Sequence, residues 1–279
     1  MNMHFSIVST VFLILIFGCV SSAVQNEKAQ ETRAQQIWEQ SLVAKGGHER
    51  LYSVRNMVIS SSGSYKPLKF KIKPNGEVSS RSGKQSGIFS EVLYVFPDML
   101  WSWTDYRPAV FGLRVSMYNY DTKTKYVISD GEPNHPAEPF TEHELAGRGF
   151  PITQLMYLME SKWLKPKLVK VTTERIGFRV VDVVQTEVDG LRYDFAIERK
   201  THLPVRFTSY SQYKGKVYTH VNGLYDYTDV DGIKVPLTIE LEDGHKEKSN
   251  ISFNVEYNEK IFTNPPSIEA GHKAWMKGQ

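Results

Sequence analysis

The chain has almost no cysteine: Cys19 is the single one among 279 residues. A disulfide framework needs at least one pair of cysteines, and structural zinc sites are usually built from several thiolates. The sequence therefore excludes a disulfide scaffold and any cysteine-based metal site. Because Cys19 lies close to the N-terminus, the remainder of the chain carries no thiol.

Concentrated charge and common enzyme motifs are also missing. The 34 basic and 31 acidic residues are scattered along the chain and give a net charge of +3. No run of lysine and arginine marks a nucleic-acid-binding surface, so that class of protein is set aside. No G-x-S-x-G, P-loop or H-E-x-x-H pattern occurs. The sequence therefore predicts a protein that is not an enzyme and holds no metal or cofactor.

One segment, 131–150, does combine histidine with carboxylates. No two of its histidines have the i,i+4 spacing of a helical zinc site, and the segment is rich in proline. We interpret it as a solvated loop, with a hydrolase that uses this loop as a distant alternative. The residues concerned are His135, Glu138, Glu142, His143 and Glu144.

No apolar run is long enough to span a membrane as a helix, which takes about 20 residues. Residues 5–17 instead have the length of the apolar core of a signal peptide, although no lysine or arginine precedes them. Small residues at Ser21–Ala23 predict cleavage after residue 23 and a signal peptide over 1–23. The alternative is a lipobox at Ile16–Cys19, which would make the leader 1–18 and place a lipid on Cys19. Both predict export.

Helical patterns are few. Residues 24–31 are polar and predict a tether, and the helix predicted over 32–45 has an apolar stripe and ends at Gly46-Gly47. A further turn of helix follows over 48–54. The helix predicted over 152–163 carries a second apolar stripe, and Pro166 prevents it from continuing.

Most of the remaining chain alternates between apolar and polar residues, as strands with one buried and one wet face do. In the clearest run, Ile233, Val235, Leu237 and Ile239 alternate with polar-face positions that include Thr238. Asp-Gly pairs and similar turns join these runs into a meander of about six strands over 166–258, and about ten strands in all. Long strands in one meander curl. We predict a single domain over 32–279, mainly β, with a curved antiparallel sheet and helices in its mouth.

Five segments carry a family resemblance: Ala44–Gly47, Thr201–Arg206, Tyr225–Tyr227, Val230–Pro236 and Ile261–Pro266. They resemble the LolA/LolB-like superfamily, in its divergent branch of outer-membrane lipoprotein-sorting proteins. The resemblance covers most of the chain after the leader and implies an unclosed half-barrel whose concave face is covered by helices as a lid. It also implies a non-catalytic carrier or acceptor in the periplasm or at the outer membrane, which binds the acyl chains of lipoproteins or lipids in an apolar cavity.

The candidate ligand contacts are apolar. Leu155, Met156 and Met159 would line the cavity from the lid, because flexible methionines adapt to apolar ligands. Trp101 and Trp103 would lie together at its mouth. The alternative for all five is ordinary core packing, which would suit an envelope interaction or assembly protein with a filled core and no ligand. A lipid on Cys19 would add contact with a membrane surface, and the sequence leaves the oligomeric state undetermined.

Overall fold

One large antiparallel sheet dominates the fold. The computed structural model describes residues 29–65, 68–72, 78–82, 86–107, 112–130, 138–139, 149–213, 215–263, 268, 271 and 273–277. Thirteen strands form the sheet in the order β8-β7-β6-β5-β4-β1-β15-β14-β13-β12-β11-β10-β9, and β2 and β3 form a separate ribbon. Every neighbouring pair in the sheet is antiparallel. The end strands β8 and β9 do not pair with each other in the described part of the chain. The predicted unclosed half-barrel is therefore confirmed.

The strands are more numerous than the ten predicted. The difference arises mainly before residue 131, where short strands lack the long alternating runs that make the later part legible. Their bounds are β1 Asn56–Tyr65, β2 Leu68–Ile72, β3 Val78–Ser82, β4 Ser86–Val95, β5 Met99–Asp105, β6 Leu113–Asn119, β7 Thr124–Ser129, β8 Glu138–Pro139, β9 Lys167–Ile176, β10 Arg179–Val188, β11 Leu191–Glu198, β12 Pro204–Tyr213, β13 Lys216–Val230, β14 Ile233–Glu240 and β15 Lys246–Phe253.

Within the described residues, three α-helices accompany the sheet: α1 over 29–45, α2 over His48–Ser53 and α3 over Gly149–Leu158. The prediction of a helix over 32–45 is confirmed, and the helix already includes 29–31 from the predicted tether. The helix predicted over 152–163 ends five residues early. Its end follows from Met159, whose φ of +64° is the left-handed conformation that terminates helices.

The helices pack on one face of the sheet, which we call the concave face. Its apolar core combines residues of α1, α2 and α3 with residues of strands β1, β4 and β9 to β15. The corner between α1 and α2 is tight: Gly46 has a φ of +135°, and a Cβ there would lie 2.3 Å from the Gly232 carbonyl oxygen. Glycine at this position lets the corner pack directly on the β13–β14 turn.

The opposite face, which we call the outer face, is partly covered by the C-terminal segment. Phe262, in a short 3-10 turn over Glu259–Phe262, and Trp275 pack there against strands β1 and β4 to β6. The Trp275 indole donates a hydrogen bond to the buried Glu91 carboxylate, which also accepts one from Ser60. The sheet is therefore buried on both faces around strands β1, β4 and β5.

The predicted alternation holds on the concave face and fails in places on the outer face. Ile233, Val235 and Ile239 are buried as expected. Thr238, predicted to lie on a wet face, is only 5% exposed and donates a 2.6 Å hydrogen bond to Asp226. It lies between its strand neighbours Tyr225 and Lys248, whose long side chains flank it. Position 238 is therefore not a wet position, and that prediction is wrong.

Candidate ligand-binding face

The concave face is an extended apolar surface. Its strands contribute alternate residues, with Tyr193, Phe195 and Phe207 stacked at its centre at ring separations of 5.0 to 5.9 Å. Each of these rings is at most 1% exposed. Apolar side chains of this size dominate the free energy of burial, so what covers this face determines what it can bind.

Helix α1 lies across the centre of this surface. Its Trp38 ring packs edge-on against Phe195 at 5.0 Å, and Ala34 and Leu42 on the same stripe have no exposed surface. Near its N-terminal end, Arg33 donates to Asp182 in β10 at 2.9 Å. The helix is therefore fixed to the sheet by an apolar stripe and a charged contact.

Two arginines, Arg33 and Arg199, converge on the Asp182 carboxylate. Arg199 contacts both carboxylate oxygens, at 2.7 and 2.8 Å, and Thr173 donates at 2.8 Å. Burial alone would raise the pKa of Asp182, but the hydrogen bonds from Arg199 and Thr173 outweigh it and hold that pKa below its usual value. The carboxylate therefore stays ionised and holds the start of α1 in place.

Helix α3 covers the concave face beside α1. Leu155, Leu158 and Met159 have no exposed surface, whereas Met156 is partly exposed. The Met159 backbone N–H donates to the Leu155 carbonyl at 2.7 Å, and Ser41 of α1 donates to the Met159 sulfur at 3.2 Å. Of the three predicted lid contacts, two are completely enclosed by protein and one reaches the surface.

The segment after α3 is held by polar contacts. The Ser161 hydroxyl accepts hydrogen bonds from the Gln154 amide and from the backbone N–H groups of Trp163 and Leu164, the last two at 3.2 and 3.1 Å. Both Gln154 and Ser161 are buried. These bonds give partners to the backbone N–H groups of Trp163 and Leu164, which follow the end of the helix.

Glu160 joins this segment to the first two helices. Its carboxylate accepts hydrogen bonds from the Trp38 indole, at 2.9 Å, and from the Tyr52 hydroxyl. His48 lies beside it, with Nδ1 4.0 Å from Glu160 and Nε2 2.7 Å from Glu39. Burial, together with the Glu160 carboxylate, raises the pKa of Tyr52. The cluster is a polar anchor beyond the C-terminal end of α3.

Two tyrosine hydroxyls lie where α3 meets the sheet. Tyr94 in β4 donates to Thr153 at 3.3 Å, and burial raises its pKa. Tyr157, on α3 itself, has its pKa raised to about 12, mainly by burial, while a hydrogen bond with Ser249 acts in the opposite direction. Both side chains therefore stay neutral near pH 7 and offer polar contacts within an apolar setting.

A buried lysine lies at the end of α1. Lys45 has no exposed surface; its ammonium donates to the Lys234 carbonyl at 2.9 Å and lies 5.4 Å from the centre of the Tyr227 ring. Burial lowers the pKa of Lys45 to about 7. Sequence reasoning passed over this residue, although it continues the stripe of Ala34, Trp38 and Leu42 at helical spacing, which is the signal that could have found it.

The predicted tryptophans do not join the lid residues. Trp101 and Trp103 point to the outer face, where they pack with Leu93, Met117 and Trp275. The reason is the alternation of β5: Leu100, which directly precedes Trp101, faces the concave core, so Trp101 and Trp103 face the other way. The structure separates the tryptophans from Leu155, Met156 and Met159 by the thickness of the sheet, so the placement of all five around one cavity mouth is corrected here.

Other predictions concern parts of the chain outside the described residues. The signal peptide over 1–23, the alternative leader over 1–18 and Cys19 all lie there, as does His143 with most of the 131–150 segment. Within the described ranges, no helix is both long and apolar enough to cross a membrane. The same ranges contain no group of three or more His, Cys, Asp or Glu side chains placed to hold a metal ion.

The fold resembles two solved structures. One is a LolA superfamily protein from Nitrosomonas europaea, with a TM-score of 0.47 and 12% sequence identity over 81% of this chain and 97% of that one. The other is a DUF1329 family protein from Desulfovibrio piger, with a TM-score of 0.46 and 11% identity over 82% of this chain and 96% of that one. Similarity at this level carries no argument about ligands.

No protein-family model matches the sequence, and no curated protein matches it either.

Proposed function

We propose that this protein is a non-catalytic carrier or acceptor of acyl chains in the bacterial cell envelope, binding the lipid part of a lipoprotein or a free lipid on its concave face. The observation that carries the proposal is the way this face is covered. Leu155 and Leu158 of the ten-residue helix α3, with Met159 directly after it, cover this face. The polar anchors Glu160 and Ser161 lie beyond the C-terminal end of the helix. In this proposal helix α3 moves while Glu160 and Ser161 stay in place, which requires the hydrogen bond from Gln154 of α3 to Ser161 to break.

In this proposal the ligand enters by replacing the apolar contacts that α3 makes with the sheet. Since Leu155, Leu158 and Met159 have no exposed surface, an acyl chain must take over the apolar contacts that these side chains now make. Met156 is already partly exposed at the edge of α3, where the end of a chain would make its first contact. The Tyr157 and Tyr94 hydroxyls beside α3 could then meet the carbonyl or headgroup oxygens of the ligand.

The free energies favour weak, reversible binding. About a dozen buried methylenes gain roughly 10 kcal/mol at about 0.8 kcal/mol each. Uncovering Leu155, Leu158 and Met159 costs roughly 5 to 9 kcal/mol, at about 1.5 to 3 kcal/mol for each side chain. The difference of roughly 1 to 5 kcal/mol corresponds to dissociation constants of about 0.2 mM or weaker. Such affinity lets the ligand pass on to a membrane or an acceptor protein.

A titration of delipidated protein with a fluorescent fatty acid tests this proposal. We expect saturable binding that Met156→Asp weakens by at least tenfold, because a carboxylate at the entry point must be desolvated. Since Met156 is partly exposed, the variant should keep the circular dichroism of the wild type. Val43→Asp is the matched control, because Val43 is 69% exposed on α1 and should leave binding unchanged. Equal binding by both variants, or none by the wild type, would contradict the proposal.

The second candidate is a non-catalytic interaction protein of the envelope with a filled core. The same complete burial of Leu155, Leu158 and Met159 favours it, because a core that is already packed needs no ligand. Mass spectrometry of the protein purified under native conditions distinguishes the two: a stoichiometric lipid supports the carrier, and its absence together with no saturable titration supports the filled core.

A further inference from the structure

The β9–β10 hairpin ends in an aromatic tip. Arg179 pairs with Ile176, so the turn consists of Gly177 and Phe178 alone. Gly177 has a φ of +58°, which glycine adopts without strain at the first position of such a turn. Phe178 has a relative exposure of 105%, the highest among the exposed large apolar residues. One exposed apolar side chain needs no explanation in itself, so its surroundings decide what it can do.

The surroundings of Phe178 are basic. Arg175 and Arg179 flank it on the hairpin, and the β11–β12 turn lies alongside, with the Arg199 backbone N–H donating to the Val180 carbonyl at 3.2 Å. That turn adds Arg199 and Lys200. Together with Arg33 of α1 and Arg206 of β12, this corner of the sheet holds six basic residues against the three carboxylates of Glu174, Asp182 and Glu198.

The three carboxylates are already engaged within the protein. Asp182 binds Arg33 and Arg199, Glu198 lies 3.6 Å from Arg179, and Glu174 pairs with Arg206 at 2.5 Å. Arg175 and Lys200 are exposed. Among the described residues, no carboxylate lies within 4.0 Å of either side chain. The tip therefore combines a fully exposed aromatic ring with two positive charges that no carboxylate in the described part of the chain neutralises.

We propose that this tip docks the protein on an anionic lipid bilayer, with Phe178 entering the interfacial region and Arg175 and Lys200 meeting lipid phosphates. Charge complementarity identifies the occupant, since basic residues next to an apolar side chain are attracted to anionic headgroups. A protein partner fits less well, because a specific protein interface buries roughly 800 Å² on each side around an apolar centre. Phe178 is a single protruding ring at a two-residue turn. The docking does not depend on acyl-chain binding by the concave face.

Co-sedimentation of the full chain with lipid vesicles tests the docking. We expect binding to phosphatidylcholine vesicles that contain phosphatidylglycerol, little binding to phosphatidylcholine alone, and release by salt. Phe178→Ser should weaken binding by about fivefold or more, since it removes most of the apolar contact, and Arg175→Gln with Lys200→Gln should weaken it further. Val217→Ser is the matched control, because Val217 is 66% exposed beside the β12–β13 turn at the opposite end of the strands.

A probe at the tip reports its depth directly. In a chain carrying Cys19→Ser, an NBD dye on Phe178→Cys should gain fluorescence with the anionic vesicles, while the same dye on Val217→Cys should not. Wild-type affinity in Phe178→Ser, with binding that only the charge changes weaken, would mean simple electrostatic adsorption and would overturn the docking. Self-association that Phe178→Ser abolishes, without vesicle binding, would assign the tip to a second copy instead. Acyl-chain titration of Phe178→Ser should match the wild type, so the two proposals fail separately.

Discussion

Replacing Lys45 with methionine should change the stability of the protein in opposite directions at pH 7 and at pH 10. Burial lowers the pKa of Lys45 from 10.5 to about 7 in the folded chain, against about 10.4 in the unfolded chain. Between these values the unfolded chain binds the proton and the folded chain does not, so the free energy of unfolding rises with pH. Below the folded pKa the full cost of burying the charge is present.

The magnitude follows from about 1.36 kcal/mol for each pH unit. Burying the Lys45 amine costs about 4 kcal/mol of stability at pH 7 and less than about 1 kcal/mol at pH 10. Lys45→Met removes this cost but also removes the hydrogen bond to the Lys234 carbonyl, which is worth about 1 to 2 kcal/mol. The variant should therefore be about 2 kcal/mol more stable than the wild type at pH 7 and about 1 kcal/mol less stable at pH 10.

Urea unfolding followed by circular dichroism at the two pH values measures the difference. Lys234→Met is the matched control: its side chain is exposed, and the carbonyl that binds Lys45 is retained, so its effect should not depend on pH. If Lys45→Met changes stability by the same amount at both values, the amine is charged in the fold at pH 7 and the reasoning from burial is refuted.

The remaining predictions concern the two faces of the sheet. Ile251→Asp should prevent folding, because it places a carboxylate in the concave core, whereas Ser252→Asp on the exposed position beside it should change the free energy of unfolding by less than about 0.5 kcal/mol. Thr238→Asp should also be strongly destabilising, because it sets a carboxylate against Asp226; tolerance would mean that Thr238 is exposed in solution. Trp275→Ala should cost about 3 to 5 kcal/mol in urea unfolding, with Trp163→Ala, at a residue 37% exposed, as the smaller control; equal losses would mean that the C-terminal segment is not docked.

The parts of the fold that the sequence predicted are those governed by local pattern. The stripe of Trp38 and Leu42 predicted α1, and the alternation from Ile233 to Ile239 predicted β14, because periodicity directly reflects which side of an element is buried. The end of α3 was missed because Met159 adopts a conformation that glycine usually takes at helix ends. Only its contacts with Ser41 and the Leu155 carbonyl make that conformation understandable.

The candidate site was harder to predict because it depends on which face of the sheet each strand presents. Trp101 and Trp103 follow the alternation of β5 correctly, yet the sequence does not say that their face packs under Trp275, 170 or so residues away in the chain. Contacts such as Trp38 with Glu160 and Arg33 with Asp182 join residues more than a hundred positions apart. Such pairs have no local signature, so no pattern within a single segment reveals them.

Hydrogen exchange of the protein with and without a bound fatty acid tests the replacement of α3 most directly. The proposal predicts that ligand binding speeds exchange of the backbone amides of α3, since its contacts with the concave face are taken over, while strands β10 to β15 remain protected. The Glu160 and Ser161 anchors should hold the residues that follow. Saturable binding that leaves the α3 amides unchanged would place the ligand elsewhere, and no saturable binding at all would contradict the account.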